Sequence, residues 1–331
     1  MNERKVIVPG GAGYIGSHTI VELHKSGFTP IIIDNLCNSS EKNIKGISEI
    51  IGKDIKWHNV DCTNQKAIDN IFELEDNIEG IIHFAAYKSV EESVQNPKKY
   101  YDNNIGSLEV ILNSMKKYKV NNIIFSSSCT VYGIPDILPV TENASFKKAE
   151  SPYAETKQIC EKILIENNFN SVSLRYFNPI GSHSSSLIGD YSDDKASNLI
   201  PIITETAIGN REKVTVFGND YNTSDGTCIR DYIHVLDLAK SHVKSMDFLI
   251  KNAGKHAFNI GTGIGVSVLQ AIRIFEKSNN IKVNYSIGPR RIGDIEQIYA
   301  NSNLAKVKLN WEAKETIEQA MISAWEWEKK K

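Results

Sequence analysis

Short apolar runs and helix-spaced apolar positions alternate along the first half of the chain. The runs at 4–9, 30–34, 55–60, 80–85, 122–128 and 171–177 predict strands. Apolar residues three and four apart across 14–26, 64–75, 97–118 and 152–168 predict helices. Such alternation predicts right-handed crossovers and an α/β, doubly wound parallel sheet covered on both faces. After Pro179 the pattern becomes irregular. Gly181 to Asp194 is polar and turn-rich, and mixed short strands and helices follow as far as Trp327. This predicts two domains, a nucleotide-binding domain over 1–178 and a smaller α+β domain over 179–331, with the chain free to cross between them.

Residues that can do chemistry gather where the apolar runs end, which is where ligands bind in sheets of this type. The first run leads into Gly10-Gly11-Ala12-Gly13-Tyr14-Ile15-Gly16, and Ile15, Ile20, Val21 and Leu23 then carry a helical pattern. Glycines at 10, 13 and 16 suit a tight turn, a close approach to a pyrophosphate, and close helix–strand packing. The second run ends in Asp34, 18 residues beyond Gly16, near the spacing of about 20 at which an acid meets the adenosine ribose. A carboxylate there accepts hydrogen bonds from both ribose hydroxyls and repels a 2′-phosphate, which favours NAD over NADP. Further on, Ser151-Pro152 is a helix start, and Tyr153 and Lys157 are four apart on one face of that helix. A free tyrosine, with a pKa of about 10, is a poor base at neutral pH. A neighbouring ammonium and a cationic nicotinamide ring would favour the phenolate, so that Tyr153 could exchange a proton with a substrate hydroxyl. Ser128, at the end of the preceding strand, could bind the same oxygen.

Composition narrows the partners. The chain has 331 residues, 41% hydrophobic and 24% charged, with a formal net charge of −2. That balance offers no field for nucleic acid or an acidic membrane, so an anionic ligand must be held by a few placed Arg or Lys side chains. Five cysteines without metal-like spacing point to reduced thiols, a cytoplasmic setting and no metal centre. The first strand begins at residue 4, leaving no space for a secretory leader, and no apolar run reaches the roughly 20 residues of a membrane span.

With these residues in view, the chain resembles the extended short-chain dehydrogenase/reductases, with their Rossmann-type sheet. Asp34-Asn35-Leu36-Cys37-Asn38-Ser39, Tyr101-Asp102-Asn103-Asn104, Ser126-Ser127-Ser128-Cys129-Thr130-Val131-Tyr132-Gly133, Arg175-Tyr176-Phe177-Asn178-Pro179, Phe217-Gly218-Asn219-Asp220-Tyr221 and Arg230-Asp231-Tyr232-Ile233-His234-Val235 are similar to segments of the UDP-glucose 4-epimerase family, in register from about residue 4 to 327. The resemblance implies NAD contacts at Gly10, Gly13, Tyr14, Ile15, Gly16, Asp34, Asn35, Asp61, Cys62, Phe84, Ala85, Lys88, Asn103, Tyr153, Lys157 and Tyr176. It implies that Ser128, Thr130 and Tyr153 face the sugar 4-hydroxyl. It also implies that Phe177, Asn178, Asn198, Leu199, Val214, Thr215, Phe217, Arg230, Arg291 and Asp294 hold the UDP moiety. Guanidinium forks at Arg230 and Arg291 make physical sense for a diphosphate, since the overall charge offers no help. Pro9 departs from the family's usual threonine, and Cys62 is a side-chain variation at a backbone contact.

The activity so implied is interconversion of UDP-galactose and UDP-glucose on tightly held NAD by a homodimer. Hydride leaves sugar C4, the 4-keto sugar turns over while UDP anchors it, and hydride returns to the other face. Ile298 falls where the resemblance places the pocket around the sugar 2-substituent. Its intermediate size implies weaker activity on UDP-N-acetylhexosamines. A 4,6-dehydratase would need an acid/base pair beside the serine, and Cys129-Thr130-Val131 contains no carboxylate. A non-enzymatic NAD-binding protein would not need Tyr153, Lys157 and Ser128 together.

Overall fold

The computed structural model describes residues 3–191, 196–291 and 294–331. The end of the 181–194 loop, and Ile292 and Gly293 of the arginine motif, lie outside the described residues. Six strands fall on the six apolar runs: β1 (Lys5–Pro9), β2 (Thr29–Asp34), β3 (Trp57–Asn59), β4 (Ile78–His83), β5 (Asn122–Ser126) and β6 (Asn170–Tyr176). The remaining strands are β7 (Asn178–Ile180), β8 (Val214–Phe217), β9 (Ile229–His234), β10 (Lys255–Ile260), β11 (Gly265–Ser267), β12 (Tyr285–Gly288) and β13 (Gln297–Ile298). The main sheet has the order β3-β2-β1-β4-β5-β6-β10, and every neighbouring pair is parallel. Its strand order reverses between β1 and β4, which opens a crevice at their carboxyl ends.

Alternating residues of each strand feed opposite cores, so the strands read as unbroken apolar runs. Val6, Val8, Ile32, Ile82, Ile124 and Val172 face one side with the helices Tyr14–Lys25, Glu41–Ile51 and Val235–Lys251. Ile7, Ile31, Ile33, Ile81, Ile123 and Phe125 face the other, with Gln65–Leu74, Gly106–Tyr118 and Pro152–Glu166. The residues that form β10 and the helix before it lie far along the chain, yet both return to this sheet. The smaller sheet is built on β9, which pairs with β7, β11 and β13, while β8 and β12 pair separately. Ile200, Ile203, Ile272, Phe275 and Met321 fill the core beside it.

Three expectations change locally. The helix expected over 97–118 is interrupted: Pro97–Tyr100 and Gly106–Tyr118 are α-helical, and Tyr101–Ile105 is a π-turn. The strand expected over 122–128 ends at Ser126, because Ser128 caps a 3₁₀ turn over Cys129–Tyr132 by accepting from the Thr130 N–H at 3.3 Å. The helix Glu41–Ile51 was not expected. Ser40 caps it, and Gly52 ends it in the left-handed region at φ 72°. Among the described residues no helix is long and apolar enough to cross a membrane.

Candidate active site

A cavity of about 340 Å³ opens at the carboxyl ends of the main-sheet strands, within the range of small-molecule sites. All sixteen residues expected at the dinucleotide line it, from Gly10 through Tyr176. The glycine loop is shaped by close approach. A Cβ on Gly16 would stand 2.4 Å from the Gly10 carbonyl oxygen, and one on Gly10, at φ 79°, would stand 2.6 Å from the Ala85 nitrogen. Gly13 caps the helix Tyr14–Lys25, and no side chain takes up the first-turn N–H groups. These donors and the helix dipole suit a phosphate. Pro9 keeps its role despite lacking an N–H, because its carbonyl accepts from the Phe84 and Ala85 N–H groups at 2.8 and 3.0 Å.

Asp34 is held at the end of β2 by three donors. The Ala12 N–H reaches Oδ2 at 3.0 Å, and the Leu36 N–H and Ser39 hydroxyl reach Oδ1 at 2.9 and 2.8 Å. Burial pushes its carboxyl pKa up, and those hydrogen bonds pull the other way. Asn35 donates to Asp61 at 3.1 Å, which joins two of the expected contacts. Lys88 is paired with Asp190 at 3.1 Å, and the Tyr14 hydroxyl donates to the Gly181 carbonyl at 2.5 Å. Ser39 and Asp190 were not singled out from sequence. Ser39 stands in the quoted Asp34–Ser39 run, whereas Asp190 carries no local signal.

Tyr153 and Lys157 lie buried on the first turns of the helix Pro152–Glu166, where Ser151 accepts from the Ala154 N–H at 3.2 Å. Lys157 Nζ donates to the Ser126 carbonyl at 2.7 Å and stands 5.8 Å from the centre of the Tyr153 ring. Burial lowers Lys157 to about 8 and pushes the Tyr153 phenol well above its ordinary value. The Ser128 hydroxyl lowers the phenol by a smaller amount. Among the protein's own groups desolvation is the largest influence on the phenol. Tyr176 takes a hydrogen bond from the Ser126 hydroxyl at 3.1 Å. Thr130 lines the same wall, and its buried hydroxyl oxygen has no partner among the described residues.

The residues expected at UDP divide into two groups. Phe177, Asn178 and Asn198 line the cavity. Leu199, Val214, Thr215, Phe217, Arg230, Arg291 and Asp294 do not, nor does Ile298, expected at the sugar 2-substituent. Leu199 packs against the smaller core, and Val214 is fully buried in it. Thr215 lies on β8 opposite Ser286 of β12. Arg291 stacks 5.4 Å above the Phe217 ring and pairs with Asp294 at 2.8 Å, and Arg230 approaches Asp294 at 3.8 Å. Phe217, both arginines and Asp294 thus converge, with Asp294 between the two guanidinium groups. Ile298 is 3% exposed and packs with Cys129 and Phe177, so it sits one layer behind the cavity wall.

A glycine cradle, a carboxylate on the second strand and a buried Tyr/Lys pair in one cleft define an extended short-chain dehydrogenase/reductase. The family model described as GDP-mannose 4,6 dehydratase matches residues 7–323. The chain is 46% identical to the UDP-glucose 4-epimerase of Pasteurella multocida across 98% of its own length and 97% of that protein. It is also 46% identical to that of Dictyostelium discoideum, over 98% and 95%. It superposes with a TM-score of 0.94 on the Bifidobacterium longum UDP-glucose 4-epimerase in complex with NAD+ and UDP, at 42% identity and 98% of each chain. For the Stenotrophomonas maltophila enzyme with bound NAD and formylated UDP-arabinopyranose the TM-score is 0.96, at 39% identity, covering 99% of this chain and 98% of that one. Within the class, this chain belongs to the UDP-glucose 4-epimerase family.

Proposed function

We propose that the protein interconverts UDP-galactose and UDP-glucose with NAD held in the cleft. The observation that carries this reading is one cavity, with a phosphate cradle and Asp34 at one end and Ser128, Tyr153 and Lys157 at the other. The cradle fits a dinucleotide because a side chain at Gly10 or Gly16 would fill it, and because the first-turn N–H groups at Gly13 stand uncapped. NAD would lie along Gly10 to Gly16, with its ribose on Asp34 and its nicotinamide toward Tyr153 and Lys157. When bound it supplies a hydride acceptor at sugar C4 and a positive ring beside Tyr153.

The chain's own groups move the proton and hold the substrate. Tyr153 accepts the 4-hydroxyl proton as the C4–H bond breaks and returns it when the bond re-forms, and Ser128 and Thr130 bind the same oxygen. In so dry a pocket a nearby positive charge acts with little screening, which offsets the burial that raises the phenol. Arg230 and Arg291 hold the diphosphate, displacing part of their pairing with Asp294, while Phe177, Asn178 and Asn198 contribute to the UDP site from the cavity wall. Strong contacts on UDP and few on the hexose let the 4-keto sugar present either face, which is what inversion at C4 requires. The turn Cys129–Tyr132 brings no carboxylate beside Ser128, so the site lacks the acid/base pair a 4,6-dehydratase needs. The same reading takes the enzyme as a cytoplasmic homodimer, in keeping with five free cysteines.

The test is conversion of UDP-galactose to UDP-glucose by purified protein without added NAD, read by a coupled UDP-glucose dehydrogenase. Steady turnover supports the proposal. No conversion, or a 4-keto-6-deoxy product, overturns it.

A further inference from the structure

Behind the catalytic wall lies a charged pair that the chemistry above does not use. Glu161 and Arg175 have side chains only 2% and 8% exposed. Arg175 donates from Nε to both Glu161 carboxylate oxygens, at 3.1 and 3.2 Å, and from a terminal nitrogen to Oε2 at 2.8 Å. Its other terminal nitrogen donates to the Tyr132 hydroxyl at 3.0 Å and to the Glu142 carbonyl at 3.1 Å. Tyr132 in turn donates to Asn259 on β10 at 2.6 Å. Burying a salt bridge is costly and stabilises a fold poorly, since an apolar pair of the same volume often does as well. This network is therefore better explained by what it orients.

What it orients is the serine triplet. Ser127 donates to Glu161 Oε1 at 2.5 Å, so the middle serine is pinned to the helix that carries the catalytic pair. The serines on either side face the cavity chemistry. The Ser126 carbonyl takes the Lys157 ammonium, and Ser128 stands beside Tyr153. Glu161 lies one turn beyond Lys157, on the same side of the helix. The ionisable groups around Lys157 and Tyr153 are Cys160 and Glu161 on their own helix, His83 on β4, Arg175 and Tyr176 on β6, Cys129 after β5, and Tyr100. Glu155, on the same helix, faces outward and accepts from the Tyr101 hydroxyl. Among the groups facing inward, Glu161 is the carboxylate.

Building on the epimerase reading, we propose that Glu161, anchored by Arg175, is a positioning residue for catalysis. It locks the Ser126–Ser128 segment, whose Ser126 carbonyl takes the Lys157 ammonium, against the catalytic helix.

The test compares the parent with Glu161→Gln and with the charge-balanced pair Glu161→Gln/Arg175→Met. It measures melting temperature, NAD content, and kcat and KM for UDP-galactose from pH 6 to 10. If the proposal holds, the double variant melts near the parent and keeps its NAD. Its kcat falls roughly tenfold or more at pH 8, while its KM stays within about threefold. A well-folded double variant with kcat within about threefold of the parent overturns the proposal. If neither variant folds, Ser127→Ala decides, since it cuts the pin and leaves both charges. A kcat loss of about fivefold or more at constant KM supports the proposal, and parental kinetics overturn it. An inactive parent would instead reject the epimerase reading itself.

Discussion

In the proposed reaction Tyr153 carries the heaviest burden of any single residue, because its phenol would have to ionise where burial opposes ionisation. Lys157, lowered to about 8 by burial, donates a hydrogen bond to the Ser126 carbonyl. With the hydroxyl removed, the proposed reaction loses the group that takes the 4-hydroxyl proton. Tyr153→Phe is expected to keep its NAD and to lose about 10²–10⁴-fold in kcat. Absorbance of the released cofactor and a UDP-galactose assay check both halves, and turnover near that of the parent removes Tyr153 from the mechanism. Ile298 presents a different residue-scale question, since it packs against Cys129 and Phe177 rather than lining the cavity. If it sets the depth of the sugar pocket, Ile298→Tyr should push on Phe177 and cut activity on UDP-N-acetylglucosamine at least about tenfold more than on UDP-galactose. Overpacking a core costs about 1–3 kcal/mol, so a lower melting temperature accompanies that change. An equal loss on the two substrates means that Ile298 is packing alone.

At the scale of elements, the glycine loop shows how closely strand, turn and helix must meet. The helix Tyr14–Lys25 can start against β1 only because Gly16 presents no side chain to the Gly10 carbonyl, which a Cβ would meet at 2.4 Å. Gly16→Ala must move the loop backbone and with it the N–H groups that face the cavity. We expect at least about tenfold less NAD in the purified protein, measured by release and enzymatic assay, with the far-ultraviolet circular dichroism of the parent. Full NAD occupancy would mean that the loop tolerates the shift. Element boundaries show where local patterns stop being informative. The apolar run through 122–128 does not reveal that β5 ends at Ser126, because Ser127 leaves the sheet to reach Glu161, 34 residues away. Nor does the periodicity of 97–118 reveal the π-turn at Tyr101–Ile105. There the Asn104 side chain accepts from the Tyr87 N–H at 2.8 Å and donates to Thr156 at 3.2 Å.

For the molecule as a whole, six strands, the glycine cradle, Asp34 and the Tyr153/Lys157 pair could be read from the sequence because each depends on neighbours a few residues away. Apolar alternation, a cap at Ser151, a spacing of four on a helix and glycines at a turn are properties of short segments. Tertiary structure decided what distant segments do to one another. It brought β10 from residues 255–260 to complete the main sheet, and paired Lys88 with Asp190 across the cavity. It gathered Arg230, Arg291 and Asp294 apart from the cavity wall, and buried the Glu161–Arg175 pair behind the serines. It also set the burial of Tyr153, since spacing sets which groups are near while desolvation depends on everything packed around them. The sequence by itself determined the fold class and the residue types of the site, through local pattern. Only the tertiary structure decided their ionisation, their supports and their pairings, because burial and long-range contact are properties of the folded chain.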